Sequence, residues 1–430
     1  MMSPSAPAGH VTARAYDSML TVFFPKDLSS SVTPDYLPYT LWHLANSVTG
    51  TVAGTLSMQA LLQALGLGAG TAIGLAATTN WIIKDGFGLL GGVLFAGFMG
   101  NRFDASPKYY RFLANLCIQA SNLMELLTPM VPHLFLPMAS LSNIGKNIGF
   151  LAASATRASM HRGFTRTDNL GDITAKAGAQ ATAAGLVGTG IGIVLSWAIG
   201  TDPHTLLAAF VPLSLLNLFA AYKSNRAVVT RHMNIERAEL TLRAVLDNPV
   251  SQRITPPASV ATPSPAEKLV APTPFDISRR ETMFGWRKHP FRVALRLEEP
   301  VDAPRCPLAT MSVEGMIAFS AGFGDLAAQR YRICVASDAE TVWLWFLDTA
   351  DHEDVTRGFI HACAVRHALE TGRASAHAGW LRNSPADAYL VSSARVDNIL
   401  AALVAAGWDI AHTHLGDRNR RLHVGPVPVQ

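Results

Sequence analysis

Charge is what this chain lacks most. Asp, Glu, Lys and Arg make up 15% of its 430 residues, against about 25% in an ordinary soluble chain. Hydrophobic residues reach 49% and the mean hydropathy is +0.21. That balance excludes a disordered chain and a single ordinary cytosolic enzyme domain. The net charge of +4 is small for this length and gives no reason to expect a nucleic-acid partner. The four cysteines, Cys117, Cys306, Cys334 and Cys363, form no CxxC pair. A disulfide framework and a thiolate zinc site are therefore not expected. GxxxxGK[ST], HExxH and GxSxG do not occur, and no enzyme is expected. Gly86–Gly91 matches GxGxxG in letters only. A dinucleotide site requires a strand before it and an acid about 20 residues on, whereas here an uncharged run leads in and the next acid, Asp104, comes too early. The apolar stretch Met19–Phe24 is six residues, short of the roughly 7–15 of a secretory h-region.

The missing charge is missing from one half. Residues 31–227 carry 11 basic and 7 acidic residues, whereas residues 228–430 carry 22 of each. Long uncharged runs follow: Leu44–Ile83, Gly86–Asn101, Leu126–Gly145, Ala177–Thr201 and Pro203–Tyr222. A bilayer-spanning helix needs about 20 such residues. Ala177–Tyr222 reads as a helical hairpin turning at Gly200–Pro203, with five basic residues in each flank (146–176 and 223–243) on the same side, as the positive-inside rule expects. Gly50/Gly54, Gly70/Gly74, Gly88/Gly92 and Gly188/Gly192 are spaced so that each pair shares a helix face and admits a close neighbour. Gly66–Gly70 reads as a break between helices.

Lys84-Asp85 is a charged pair inside an otherwise uncharged stretch. Neighbouring residues do not share a helix face, so each is expected to need its own partner, with Arg157 and Asp172 the candidates. Asp172 and Lys176, four apart, suit a helical ion pair. The candidate polar site is thus Lys84, Asp85, Arg157, Asp172 and Lys176. Some of these residues lie in segments that resemble the Root UVB Sensitive family: Ser31–Tyr39 (with Pro34, Asp35 and Tyr36), Asn80–Asp85 with Gly91-Gly92, Ser154–Ala158, Asp168-Asn169 leading to Asp172–Lys176, and Asn234–Ala238 with Glu236 and Arg237. One departure is that Ala179-Gln180-Ala181 stands where the family typically has Ser-Gln-Glu, so no role needing that carboxylate carries over. The resemblance implies a eukaryotic family of predicted multi-span membrane proteins linked to root UV-B responses, vitamin B6 homoeostasis and auxin distribution. It brings no defined reaction, and no cofactor is expected.

Asp247–Phe275 holds seven prolines in 29 residues and reads as an extended linker. Beyond it, strands are expected at Tyr331–Ala336 and Thr341–Leu347, helices at His352–Leu369 and Val396–Ala406, and a closing strand pair at Trp408–Leu415 and Arg421–Val427. His412 and His414 share a strand face and, with His423, have the chemistry of a metal site, but ordinary surface histidines are the favoured reading and no metal is expected. The expected architecture is mainly α: an N-terminal extension (1–30), a multi-span helical membrane domain (31–246), a Pro-rich linker (247–275) and a small α+β soluble domain (276–430). The leading expectation is an integral membrane scaffold or adaptor, in contact with membrane lipid and meeting a protein partner through its C-terminal domain. The alternative is a small-molecule transporter or channel linked to vitamin B6 or a related metabolite.

Overall fold

The computed structural model describes residues 21–66, 75–99, 102–248, 269–283, 289–297, 329–335, 340–372 and 393–415. Most of the N-terminal extension, residues 67–74 with Gly70 and Gly74, most of the Pro-rich linker, Arg421–Val427, His377 and His423 lie outside the described residues. Two compact units, Met1–Val229 and Thr230–Gln430, divide the chain.

The first unit is helical. Its long helices are α1 (Tyr36–Ala64), α2 (Leu75–Met99), α3 (Pro107–Leu127), α4 (Phe135–Phe164), α5 (Leu170–Ile199) and α6 (Pro203–Ala227). Helix α1 ends where Gly66 takes φ +80°, the left-handed conformation that closes a helix at little cost to glycine. The uncharged run Leu126–Gly145 is not one span. Pro129 and Pro132 lack a backbone donor, and short 3₁₀ turns at Thr128–Met130 and Pro132–Leu134 part α3 from α4. At the start of α6 Asp202 accepts from the Thr205 amide at 2.9 Å. The two arms of the expected hairpin, α5 and α6, each pack along α1. Close approach explains the α5 side of that packing: a Cβ at Gly188 would sit 2.7 Å from Thr51 Cβ and 2.8 Å from the Val48 carbonyl. Gly192 is equally tight against Thr55, while Gly54 borders open space. Helices α2 and α3 both pack on α4, and Gly86–Gly91 is an interior segment of helix α2.

The unit exposes large apolar side chains and, beside its buried apolar clusters, encloses a set of polar ones. Trp197, Phe98 and Leu186 are 88%, 80% and 77% exposed, whereas Lys108, Arg111, Gln119, Asn122, Glu125 and Asn217 are each 4% exposed or less. Among the described residues three helical segments, Thr78–Met99, Leu170–Ile199 and Pro203–Ala227, are long and apolar enough to cross a membrane.

The second unit is a small α+β fold. Strands β2 (Ala294–Leu297), β3 (Tyr331–Val335) and β4 (Thr341–Phe346) form a sheet of order β2-β4-β3, with β2 parallel and β3 antiparallel to β4. Helix α8 (His352–Glu370) starts in a capping box between Asp351 and Asp354. Helix α9 (Ser393–Ala405) leads to β5 (Asp409–His414). Two findings differ from the sequence reading. Strand β5 pairs in parallel with β1 (His232–Asn234), a segment that precedes the Pro-rich stretch. Helix α7 (Ile235–Asp247), grouped by sequence with the first domain, lies in the second unit's core, where Ala238, Leu242 and Val245 join Phe359, Ile360 and Leu403. The amphipathic face of α7 needs an apolar partner, and α8 supplies one. In the same core, burial pushes the Cys363 thiol up to about 12, so it packs as a small apolar group.

Candidate functional site

A cavity of about 1290 Å³ opens inside the helical unit, walled by α1, α3, α4, α5 and α6. Helix α3 contributes Arg111, Asn115, Gln119 and Asn122, spaced four, four and three apart and therefore on one face. Opposite them, α1 and α6 are locked by reciprocal amides. Asn46 Nδ2 donates to the Asn217 carbonyl at 3.1 Å, and Asn217 Nδ2 donates to the Asn46 carbonyl at 2.6 Å. Gln119 Nε2 donates to Asn217 Oδ1 at 2.9 Å, and the other end of that amide, Oε1, has no hydrogen-bond partner. Ser57 Oγ donates to Asn122 Oδ1 at 3.2 Å. Buried amides are tolerated here because nearly every polar end finds a partner on the next helix.

Cations dominate the ionisable lining: Arg111, Lys146 and Arg157, beside His43. Lys146 is matched, donating to Glu125 Oε2 at 2.5 Å, and Ser142 Oγ donates to the other Glu125 oxygen at 2.8 Å. Arg111 meets only neutral acceptors, the Ala153 carbonyl and, from Nη2, His43 Nε2 at 3.3 Å. A guanidinium only donates, so that contact fixes His43 as the neutral tautomer with its proton on Nδ1. Tyr39 stacks on the His43 ring at 5.4 Å and holds it. Among the described residues no carboxylate pairs with Arg111 or Arg157. Ala181 of α5 lines the same cavity.

Of the candidate polar site Lys84, Asp85, Arg157, Asp172 and Lys176, only Arg157 lines the cavity, and of the paired glycines Gly50 and Gly54 do. Lys84 and Asp85 do not reach Arg157 or Asp172. They pair with each other at 2.5 Å, because the long lysine stem bends back over one residue, and Lys84 also sits 4.4 Å above the Trp81 ring. Asn143 of α4 completes this cluster, donating to Asp85 Oδ1 and to the Lys84 carbonyl at 3.1 Å each. Asp172 and Lys176 form the expected i,i+4 pair at 3.9 Å and also hold the segment before α1: Asp172 accepts from the Lys26 amide, and Lys176 donates to the Thr21 carbonyl.

The motif residues serve mainly to hold elements together. Pro34 and Asp35 lead into α1, where Asp35 accepts from the Val229 amide at 2.8 Å. Tyr36 packs edge-on against Phe164 at 5.5 Å, and Asn169 precedes α5. Glu236 and Arg237 belong to the second unit. Glu236 accepts from the Thr282 amide at 2.7 Å, and Arg237 pairs with Glu281 at 2.8 Å. Among the described residues no group of three or more His, Cys, Asp or Glu side chains is placed to hold a metal ion. His412 instead meets Asp409 at 3.0 Å.

The first unit is thus a helical bundle around a cationic chamber lined with side-chain amides. The family follows from comparison. Residues 10–249 match the family described as the Vitamin B6 photo-protection and homoeostasis domain, a match that runs to the end of α7. The chain belongs to this Root UVB Sensitive family. It is similar to protein root UVB sensitive 3 of Arabidopsis thaliana, with 34% identity over 52% of this chain and 51% of the relative. RUS family member 1 of Dictyostelium discoideum is 32% identical over 59% of this chain and 47% of the relative. Protein root UVB sensitive 4 of Arabidopsis thaliana aligns over 82% of this chain and 64% of its own length at 26% identity. The chain spans about half the length of the first two relatives. No solved structure matches it.

Proposed function

We propose that the helical unit sits in a membrane and binds and passes a small molecule in vitamin B6 homoeostasis. The observation that carries this reading is the large cavity, with side-chain amides and arginines set in its wall, inside a bundle that exposes large apolar side chains. Water would penalise exposed Phe98, Leu186 and Trp197, and a bilayer would not. Side-chain amides and cations are instead gathered in the interior, along the wall of the cavity. The 30 residues of α5 extend about 45 Å, enough for the roughly 30 Å of hydrocarbon. The family description supplies the link to vitamin B6. The reading involves binding and passage without covalent chemistry. An adaptor role through the second unit is the lesser reading. Among that unit's described residues, Val270, Phe275 and Val404 are the large apolar side chains more than half exposed, too few for a broad docking patch.

The test is uptake of pyridoxine and pyridoxine 5′-phosphate into liposomes reconstituted with the full chain. Uptake of at least one above that of empty liposomes is expected, and Gly54→Trp should remove it. Gly54 borders open space, so an indole there would fill the cavity without forcing helices apart. No protein-dependent uptake, or uptake indifferent to Gly54→Trp, would contradict the reading.

A further inference from the structure

We infer that the Arg111–Arg157 end of the cavity is an anion site, and that the molecule bound there carries a phosphate monoester. This inference rests on the small-molecule reading of the same cavity and goes further by naming the ligand's chemistry. Three observations converge. Arg111 is 4% exposed, yet its hydrogen bonds go only to a backbone carbonyl and a neutral imidazole. Arg157, half-buried one helix away, lines the same cavity and pairs with no carboxylate among the described residues. Lys146 has its carboxylate in Glu125, so the charge excess belongs to the two arginines. A buried charge is costly unless paired, and a chamber that keeps two guanidiniums unpaired is preorganised for the anion that pairs them. A phosphate monoester brings close to two negative charges near neutral pH and planar oxygen edges that suit guanidinium forks. A carboxylate brings one.

The experiment is calorimetric titration of the detergent-purified full chain with inorganic phosphate, pyridoxine 5′-phosphate and pyridoxine. The alcohol vitamer is used because an aldehyde would react with lysines. Pyridoxine 5′-phosphate should bind roughly tenfold or more tighter than pyridoxine, one charge-assisted pair being of that order. Inorganic phosphate should compete with it. Arg157→Gln, which breaks no ion pair among the described residues, should lose most of that preference, and Arg157→Lys should keep part of it. Ala181→Glu leaves both arginines in place and supplies a competing carboxylate, so it too should weaken phosphate binding. Equal affinity for the two vitamers, phosphate that neither binds nor competes, or an Arg157→Gln chain with unchanged preference would overturn the inference. If pyridoxine is still taken up by proteoliposomes while phosphate is not recognised, the anion site alone is wrong. If neither vitamer is bound or taken up, the small-molecule reading falls with it.

Discussion

Glu239→Ala should unfold the second unit more readily than any surface change in it. Glu239 is 2% exposed and accepts from Arg366 Nη1 at 2.6 Å. Arg366 is 1% exposed, with its Nε on the Val293 carbonyl at 2.8 Å and its guanidinium 4.4 Å above the Phe291 ring. The pair ties α7 to α8 and both to the residues before β2. Removing one partner leaves a guanidinium in a dry core, a loss of about 3–5 kcal/mol. For a unit of this size that lowers the melting temperature by on the order of 6–20 °C. Glu239→Gln keeps an acceptor for Arg366 and should cost less. The double change Glu239→Leu with Arg366→Met removes both charges and should recover most of the loss. Thermal unfolding of the full chain in detergent, followed by fluorescence of the buried Trp343, Trp345 and Trp408, reads these differences. A Glu239→Ala chain that melts with the parent would refute this account of the core.

The second large effect belongs to the helical unit. Glu125 of α3, 3% exposed, receives Ser142 and Lys146 of α4 on its two oxygens. Glu125→Ala should strand a buried hydroxyl and free an ammonium that borders the cavity. We expect a loss of about 3 kcal/mol, at the low end for a broken buried pair because the Lys146 side chain is itself 16% exposed. Adding Lys146→Met should restore part of it. Resistance to unfolding in a graded detergent–denaturant series measures both. Equal stability of Glu125→Ala and the parent would mean that α3 and α4 are held by their apolar contacts alone.

How much of this was legible in the sequence depends on the range of the interaction involved. Helices α5 and α6 follow from uncharged runs, whereas α2 continues through Lys84-Asp85, which divides two such runs, and Gly188/Gly192 correctly marks a close contact because four-residue spacing is a local property. The α3 face was also legible in principle: Arg111, Asn115, Gln119 and Asn122 repeat at helical spacing. A criterion of uncharged runs misses it, since Arg111 and Glu125 interrupt any such run. Lys84 and Asp85 depart from expectation for a different reason. The rule that neighbours point apart holds for Cβ directions, and it fails for a four-carbon stem free to fold back. Nothing local signals that β1 pairs with β5, on the far side of the Pro-rich stretch, with His232 opposite Asp409 and Asn234 opposite His414. Parallel pairing across such a separation is decided by the assembled core. The neutral contacts of Arg111 and the missing counter-charge of Arg157 are likewise facts of three dimensions.

The central claim is that the helical unit is built inside out, with water in its cavity and lipid around it. Single-cysteine labelling in reconstituted vesicles tests this most directly, in a chain whose four native cysteines have been replaced. Gly54→Cys faces the cavity, and Leu186→Cys lies on the outer face of α5, where the native side chain is 77% exposed. The account predicts that a small water-soluble thiol reagent modifies Gly54→Cys and leaves Leu186→Cys unreacted, while a lipid-soluble reagent reaches Leu186→Cys. Rapid modification of Leu186→Cys by the water-soluble reagent, together with a protected Gly54→Cys, would contradict it.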